Sequence, residues 1–148
     1  MRSTFKCLCV LGALVALPAM ASPFSIGKSG PYEKMQCDGG SCNWFEWEQQ
    51  SIHNEGEDVI VKGRGKIALS EFEERRKGGE RFVDQREVRV VVRCSLTTPS
   101  VEFNGEQKSV DLTPLVTPVS SVYFRVCHGI APASAKKFQS IIDKNYAD

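Results

Sequence analysis

The sequence predicts a small, mainly β (α+β) fold: an antiparallel sheet, sandwich- or barrel-like, with one C-terminal amphipathic helix and two disulfides. Three observations carry this expectation. Val88, Val90, Val92, Cys94 and Leu96 share one parity, while Glu87, Arg89, Arg93 and Ser95 share the other. Such alternation marks a strand with one buried face. After Ala133 the spacing changes, and Ala135, Phe138, Ile142 and Tyr146 recur at three- and four-residue intervals, on one face of a helix. The third observation is a set of four cysteines, Cys37, Cys42, Cys94 and Cys127, that remains once the N-terminal segment is set aside.

That segment is expected to be a signal peptide over residues 1–21. Arg2 and Lys6 make a basic start, Cys7 to Leu17 is apolar, and Ala19-Met20-Ala21 offers small residues at a cleavage site. The apolar run is too short for a bilayer span, which needs roughly 20 residues. Removal of Arg2, Lys6, Cys7 and Cys9 would leave the acids one ahead of the bases and an even number of thiols. A near-zero charge argues against a polyanion partner, so no nucleic acid is expected, and no membrane association after cleavage. The 148-residue chain then divides into the signal peptide, a flexible lead-in over 22–31 and one disulfide-stabilised β-rich domain over 32–148.

The elements follow in order. Tyr32–Cys37 reads as a strand, Asp38-Gly39-Gly40-Ser41 as a tight turn, and the aromatic-rich Asn43–Gln50 as the returning strand. Ser51–Asp58 is polar, and Val59 to Leu69 reads as a strand in which Gly63 and Gly65 suggest a bulge or bend. Residues 70–78 fit two structures. Ser70 with Glu73 matches a helical capping box closed by Gly78, and a long hairpin turning at Gly78-Gly79 fits as well. Phe82 to Leu96 is the clearest strand. Val101–Phe103, Asn104-Gly105 and Lys108–Leu112 make a hairpin. Pro114 and Pro118 punctuate an extended connection, and Ser121–Cys127 reads as a strand with Val122, Phe124 and Val126 on one face.

Of the three pairings that four cysteines allow, Cys37–Cys42 with Cys94–Cys127 is expected, because the first is local and leaves the second matched. By loop-closure entropy the short loop contributes about 2 kcal/mol and the long one about 4 kcal/mol. Parity turns Cys127 away from Val122, Phe124 and Val126, so a bulge or the strand end must reorient it to reach Cys94. Zinc is the competing use of these thiols. Only one pair has ligand-like spacing, so no metal and no cofactor is expected.

Catalytic constellations are sparse. The two histidines, His53 and His128, have no nucleophile motif beside them; His53 reads as a polar-turn residue and His128 as structural. Glu46 and Glu48 leave one strand face roughly 6.5–7 Å apart, a separation that glycoside hydrolases use. Trp44 shares their parity, whereas Trp47 goes with Phe45, so one tryptophan is expected on the accessible face. Between Glu71 and Arg93 acids and bases interleave, and Arg89 and Arg93 share a strand face. These features point to a secreted (or periplasmic) non-enzymatic protein of effector or inhibitor/immunity type, which binds another protein through Trp44, Glu46, Glu48, Arg89 and Arg93. The rivals are a small hydrolase using Glu46 and Glu48, and a structural cell-wall or surface component.

Overall fold

The computed structural model describes residues 21–72, 80–113, 117–130 and 135–146; residues 1–20, which hold nearly all of the expected signal peptide, lie outside the described residues. Six strands, β1 (Gly30–Asp38), β2 (Ser41–Glu55), β3 (Asp58–Phe72), β4 (Glu80–Cys94), β5 (Ser100–Phe103) and β6 (Glu106–Ser109), precede two helices, α1 (Pro118–His128) and α2 (Ala135–Asn145). The strands form one antiparallel sheet in the order β1-β2-β3-β4-β5-β6. The protein is thus mainly β with a C-terminal helix and two disulfides, Cys37–Cys42 and Cys94–Cys127. The sheet is a single open meander, and a second helix joins the expected one.

The turns follow from residues that accept positive φ. Gly39 and Gly40 (φ 56° and 90°) join β1 to β2, and Cys37 and Cys42 sit directly opposite each other in that ladder. Asn104 and Gly105 (φ 49° and 92°) give the paired positive angles of a type I′ hairpin between β5 and β6. The second strand of that hairpin starts at Glu106, two residues before its expected start. The polar stretch after Gln50 is largely strand, since β2 continues to Glu55 and carries His53 near its end. At the ambiguous 70–78 stretch the hairpin holds: Ser70, Glu71 and Phe72 pair with Phe82, Arg81 and Glu80. The rest of it, 73–78, lies outside the described residues.

One face of the sheet makes the core. Phe45 and Trp47 of β2, Val59 and Val61 of β3, Val88, Val90, Val92 and Cys94 of β4, and Val101 of β5 are all buried. Gly63 and Gly65 occupy the core-facing positions of β3 between Val61 and Ile67. They are seats for rings. A Cβ at Gly65 would lie 2.6 Å from the Phe45 ring, and one at Gly63 would lie 2.6 Å from the Trp47 ring and would also run into the Glu48 carbonyl. The expected irregularity at these glycines is real but sits across the ladder, in β2, where the register shifts between Gln49 and Ser51.

The main correction concerns Ser121–Cys127, which is helix α1 and not a strand. Ser120 to His128 are all buried, so no exposed face breaks the pattern at 3.6 residues, and Val122, Phe124 and Val126 alternate by coincidence. The helix is specified at its ends. Thr117 caps it reciprocally with Ser120, Pro118 opens it, and Gly129 closes it at φ 64°. Pro118 is therefore a helix start and not part of an extended connection. The helix also resolves the orientation of Cys127, which meets Cys94 with the Cα atoms 5.5 Å apart and no bulge.

Residues 22–29 have no regular secondary structure but are anchored. Phe24 is buried, the Gly27 N–H donates to the Val126 carbonyl (2.8 Å), and the Arg125 guanidinium donates to the Lys28 carbonyl (2.8 Å). Helix α2 packs Ile141, Ile142 and Tyr146 against the margin of the core.

Candidate functional site

The strand pleat that sends Phe45, Trp47 and the valines inward sends the alternate residues of β2, β3 and β4 to the opposite face. The register aligns them in rows across the three strands: Trp44, Ala68 and Gln85; Glu46, Lys66 and Glu87; Glu48, Arg64 and Arg89. Ser51, Lys62 and Val91 follow, then His53, Ile60 and Arg93. Four of the five expected contact residues, Trp44, Glu46, Glu48 and Arg89, thus fall within three consecutive rows. Arg93 lies two rows further on.

Their surroundings differ. Trp44 is half-buried: its Nε1 donates to Ser70 Oγ (2.7 Å), its ring meets Phe82 edge-on at 5.8 Å, and Lys34 Nζ lies 4.9 Å over it. Trp47 is 2% exposed, so the tryptophans divide between the two faces. Glu46 shares Lys66 with Glu87, at 3.7 and 4.0 Å. Arg93 grips both arms of the β2–β3 turn, donating to Glu55 Oε2 (2.8 Å) and Asp58 Oδ2 (2.9 Å). Its guanidinium, and then His53, hold the Glu55 carboxyl below the usual range. Arg93 is thereby a clamp on the turn. Arg64 and Arg89 stand apart: they are exposed, directly opposite each other, and without a side-chain hydrogen bond or ion pair among the described residues. Arg89 is fixed only through its backbone, whose N–H donates to Asn104 Oδ1 (2.8 Å) and whose carbonyl accepts from Asn104 N–H (2.9 Å). Like charges opposite each other in a ladder are a cost to the fold.

The hollows on this face are shallow. One of about 120 Å³ is lined by Glu46, Glu48, Arg64, Gly65, Lys66 and Glu87. It brings the two predicted glutamates together but leaves out Trp44, and it falls below the roughly 300 Å³ at which small-molecule sites begin. A larger hollow, about 260 Å³, is lined by Gln50, Arg64, Glu87, Val88 and Arg89. Gln50 reaches it because it is the extra residue at the β2 bulge, and bulges re-aim side chains. Sequence reasoning missed Arg64 and Gln50. The available signal was the alternation of Lys62, Arg64 and Lys66, obscured because the intervening buried positions are glycines.

A second polar cluster lies in the interior. His128 Nε2 is 2.7 Å from the Tyr146 hydroxyl, which is 2.6 Å from the Tyr123 hydroxyl, and Tyr123 donates to the Ser95 carbonyl (3.0 Å). Burial pushes His128 down to about 4 and Tyr146 up to about 12, and raises Tyr123 further still. A neutral imidazole and two protonated phenols therefore join α1, the end of α2 and the β4–β5 loop. With Tyr123 and His128 buried and Tyr146 half-buried, this chain of bonds acts as a structural brace.

Among the described residues no three His, Cys, Asp or Glu side chains are grouped to hold a metal ion, and no helix is long and apolar enough to cross a membrane. The two disulfides are compatible with an extracellular location. No protein-family model, curated protein or solved structure matches the chain.

Proposed function

We propose that the protein is a secreted, non-enzymatic binding protein, of effector or inhibitor type, that engages another protein through the open face of β2, β3 and β4. The observation that supports this most is the contrast between backing and surface. Three strands of 15 residues each carry rows of charged side chains and a half-buried tryptophan on one side. The other side is fixed by a packed core, a helix and the Cys94–Cys127 bond. Such a surface loses little conformational entropy when it docks, which favours macromolecular recognition. Hydrolysis at Glu46 and Glu48 has less support, because their hollow is small and lacks Trp44.

The test compares capture by the oxidised protein and by its Arg89→Glu variant in an extract of the native setting. A protein retained stoichiometrically by the wild type and lost by the variant, with the thermal transition unchanged, supports the reading. Equal retention by both removes the open face from it.

A further inference from the structure

We infer that Arg64 and Arg89 together form a receptor for a single carboxylate presented by an acidic side chain of the protein partner. This rests on the binding-protein reading above and adds the chemistry of the contact at its centre.

Three other cations on the sheet are met by acids. Lys66 lies between Glu46 and Glu87, Arg93 between Glu55 and Asp58, and Lys108 against Glu106. Arg64 and Arg89 are paired in the ladder with each other, and no acid reaches either guanidinium among the described residues, although Glu48 is the neighbour of Arg64 across the β2–β3 ladder. Two arginines at opposed ladder positions on one hollow carry like charges that an anion between them would offset, and each guanidinium is a planar fork of donors that suits a carboxylate oxygen. Both line the hollow of about 260 Å³, and the bulged Gln50 adds an amide at its wall. Glu87 is the one acid on that wall. Lys66 shares that glutamate, so the wall carries two arginines with no acid of their own, and a carboxylate is the partner whose two oxygens match their forks. The hollow is open rather than enclosed, so a carboxylate presented by a surface that covers it would be better shielded from water than a free anion. Arginine at the centre of such a surface is a frequent source of binding energy.

The experiment follows the side-chain Nε–Hε resonances of the ¹⁵N-labelled oxidised protein. The probes are acetyl-Gly-Asp-Gly-amide, its Asn counterpart and sodium sulfate, at matched ionic strength. The expected result is a saturable shift of Arg64 and Arg89 together with the Asp peptide alone. Arg64→Gln and Arg89→Gln should each weaken it about ten-fold, and Arg64→Lys, which keeps the charge but not the fork, should fall between. Lys62→Gln should leave it unchanged. Equal shifts with the Asn peptide, tighter saturation by sulfate, or a shift of Arg89 that saturates at the same peptide concentration in Arg64→Gln as in the wild type overturns the inference. If the carboxylate response is absent while a partner is still captured through the open face, the paired-arginine site fails and the binding-protein reading stands. If the response is present and no partner is captured, that reading fails and the receptor stands.

Discussion

The two faces of one sheet are made by the same strands and obey opposite rules. On the covered face the centre is committed to packing: valines of β4 meet α1, Phe45 and Trp47 lie over Gly65 and Gly63, and Cys94 is bonded to the helix. On the open face side chains interact in pairs and short chains, and Arg64 and Arg89 are without an ion-pair partner among the described residues. Stability is therefore concentrated on one side, and the other is free to vary in charge without unfolding the protein. Regions with that freedom are where recognition residues accumulate.

The largest effect should come from cutting the covered face loose from its helix. Replacing Cys94 and Cys127 together by serine removes the long loop closure and should cost about 4 kcal/mol, read as a lower urea midpoint. An unchanged midpoint would mean that packing alone holds α1.

A middle-sized effect is expected at His128. Its folded value of about 4 lies below the ordinary 6.5, so between those values the unfolded chain binds the proton and the folded chain does not. Stability should be independent of this group above pH 6.5 and fall as the pH drops toward 4. Denaturation of wild type and His128→Gln at a series of pH values isolates that slope. The variant should be weaker at neutral pH and show a flatter acid limb; parallel curves would place the imidazole in water.

The smallest effect belongs to the open face. Arg93→Ala breaks both ion pairs of the β2–β3 turn, yet exposed pairs contribute little, so the melting temperature should fall by only about 2–5 °C. A fall as large as that of the disulfide variant would erase the distinction between the faces.

Much of the covered face is legible in the sequence, because β4 writes its burial as alternating Val88, Val90 and Val92, and because Asn104-Gly105 has few conformational alternatives. The cysteine pairing is legible too, by elimination around a local hairpin. Helix α1 is not, since a helix buried on all sides has no polar stripe to betray its period; only Thr117, Pro118 and Gly129 at its ends carry the signal. The open face is half legible. Glu46, Glu48 and Arg89 share faces with their aromatic or valine neighbours reversed, as expected. Arg64 is hidden because the buried positions on either side of it hold glycines, their apolar groups supplied by Phe45 and Trp47 from the adjacent strand. A pattern borrowed from another strand cannot be read along its own.

The order of the strands bears on how the molecule comes together. Each strand pairs with the next in the chain, so the sheet can assemble hairpin by hairpin from local encounters, the arrangement that favours rapid folding. Closure of the two ends is different. The Arg125 bond to the Lys28 carbonyl spans 97 residues, and it needs α1, which follows all six strands in the chain. Ser29 already accepts from the Gln49 N–H of β2 (2.8 Å), but Gly27 and the Lys28 carbonyl must wait for that helix to find their partners. During that interval the valine-rich face of the finished sheet stands uncovered, and the speed with which α1 docks sets how long the nascent protein is exposed to aggregation.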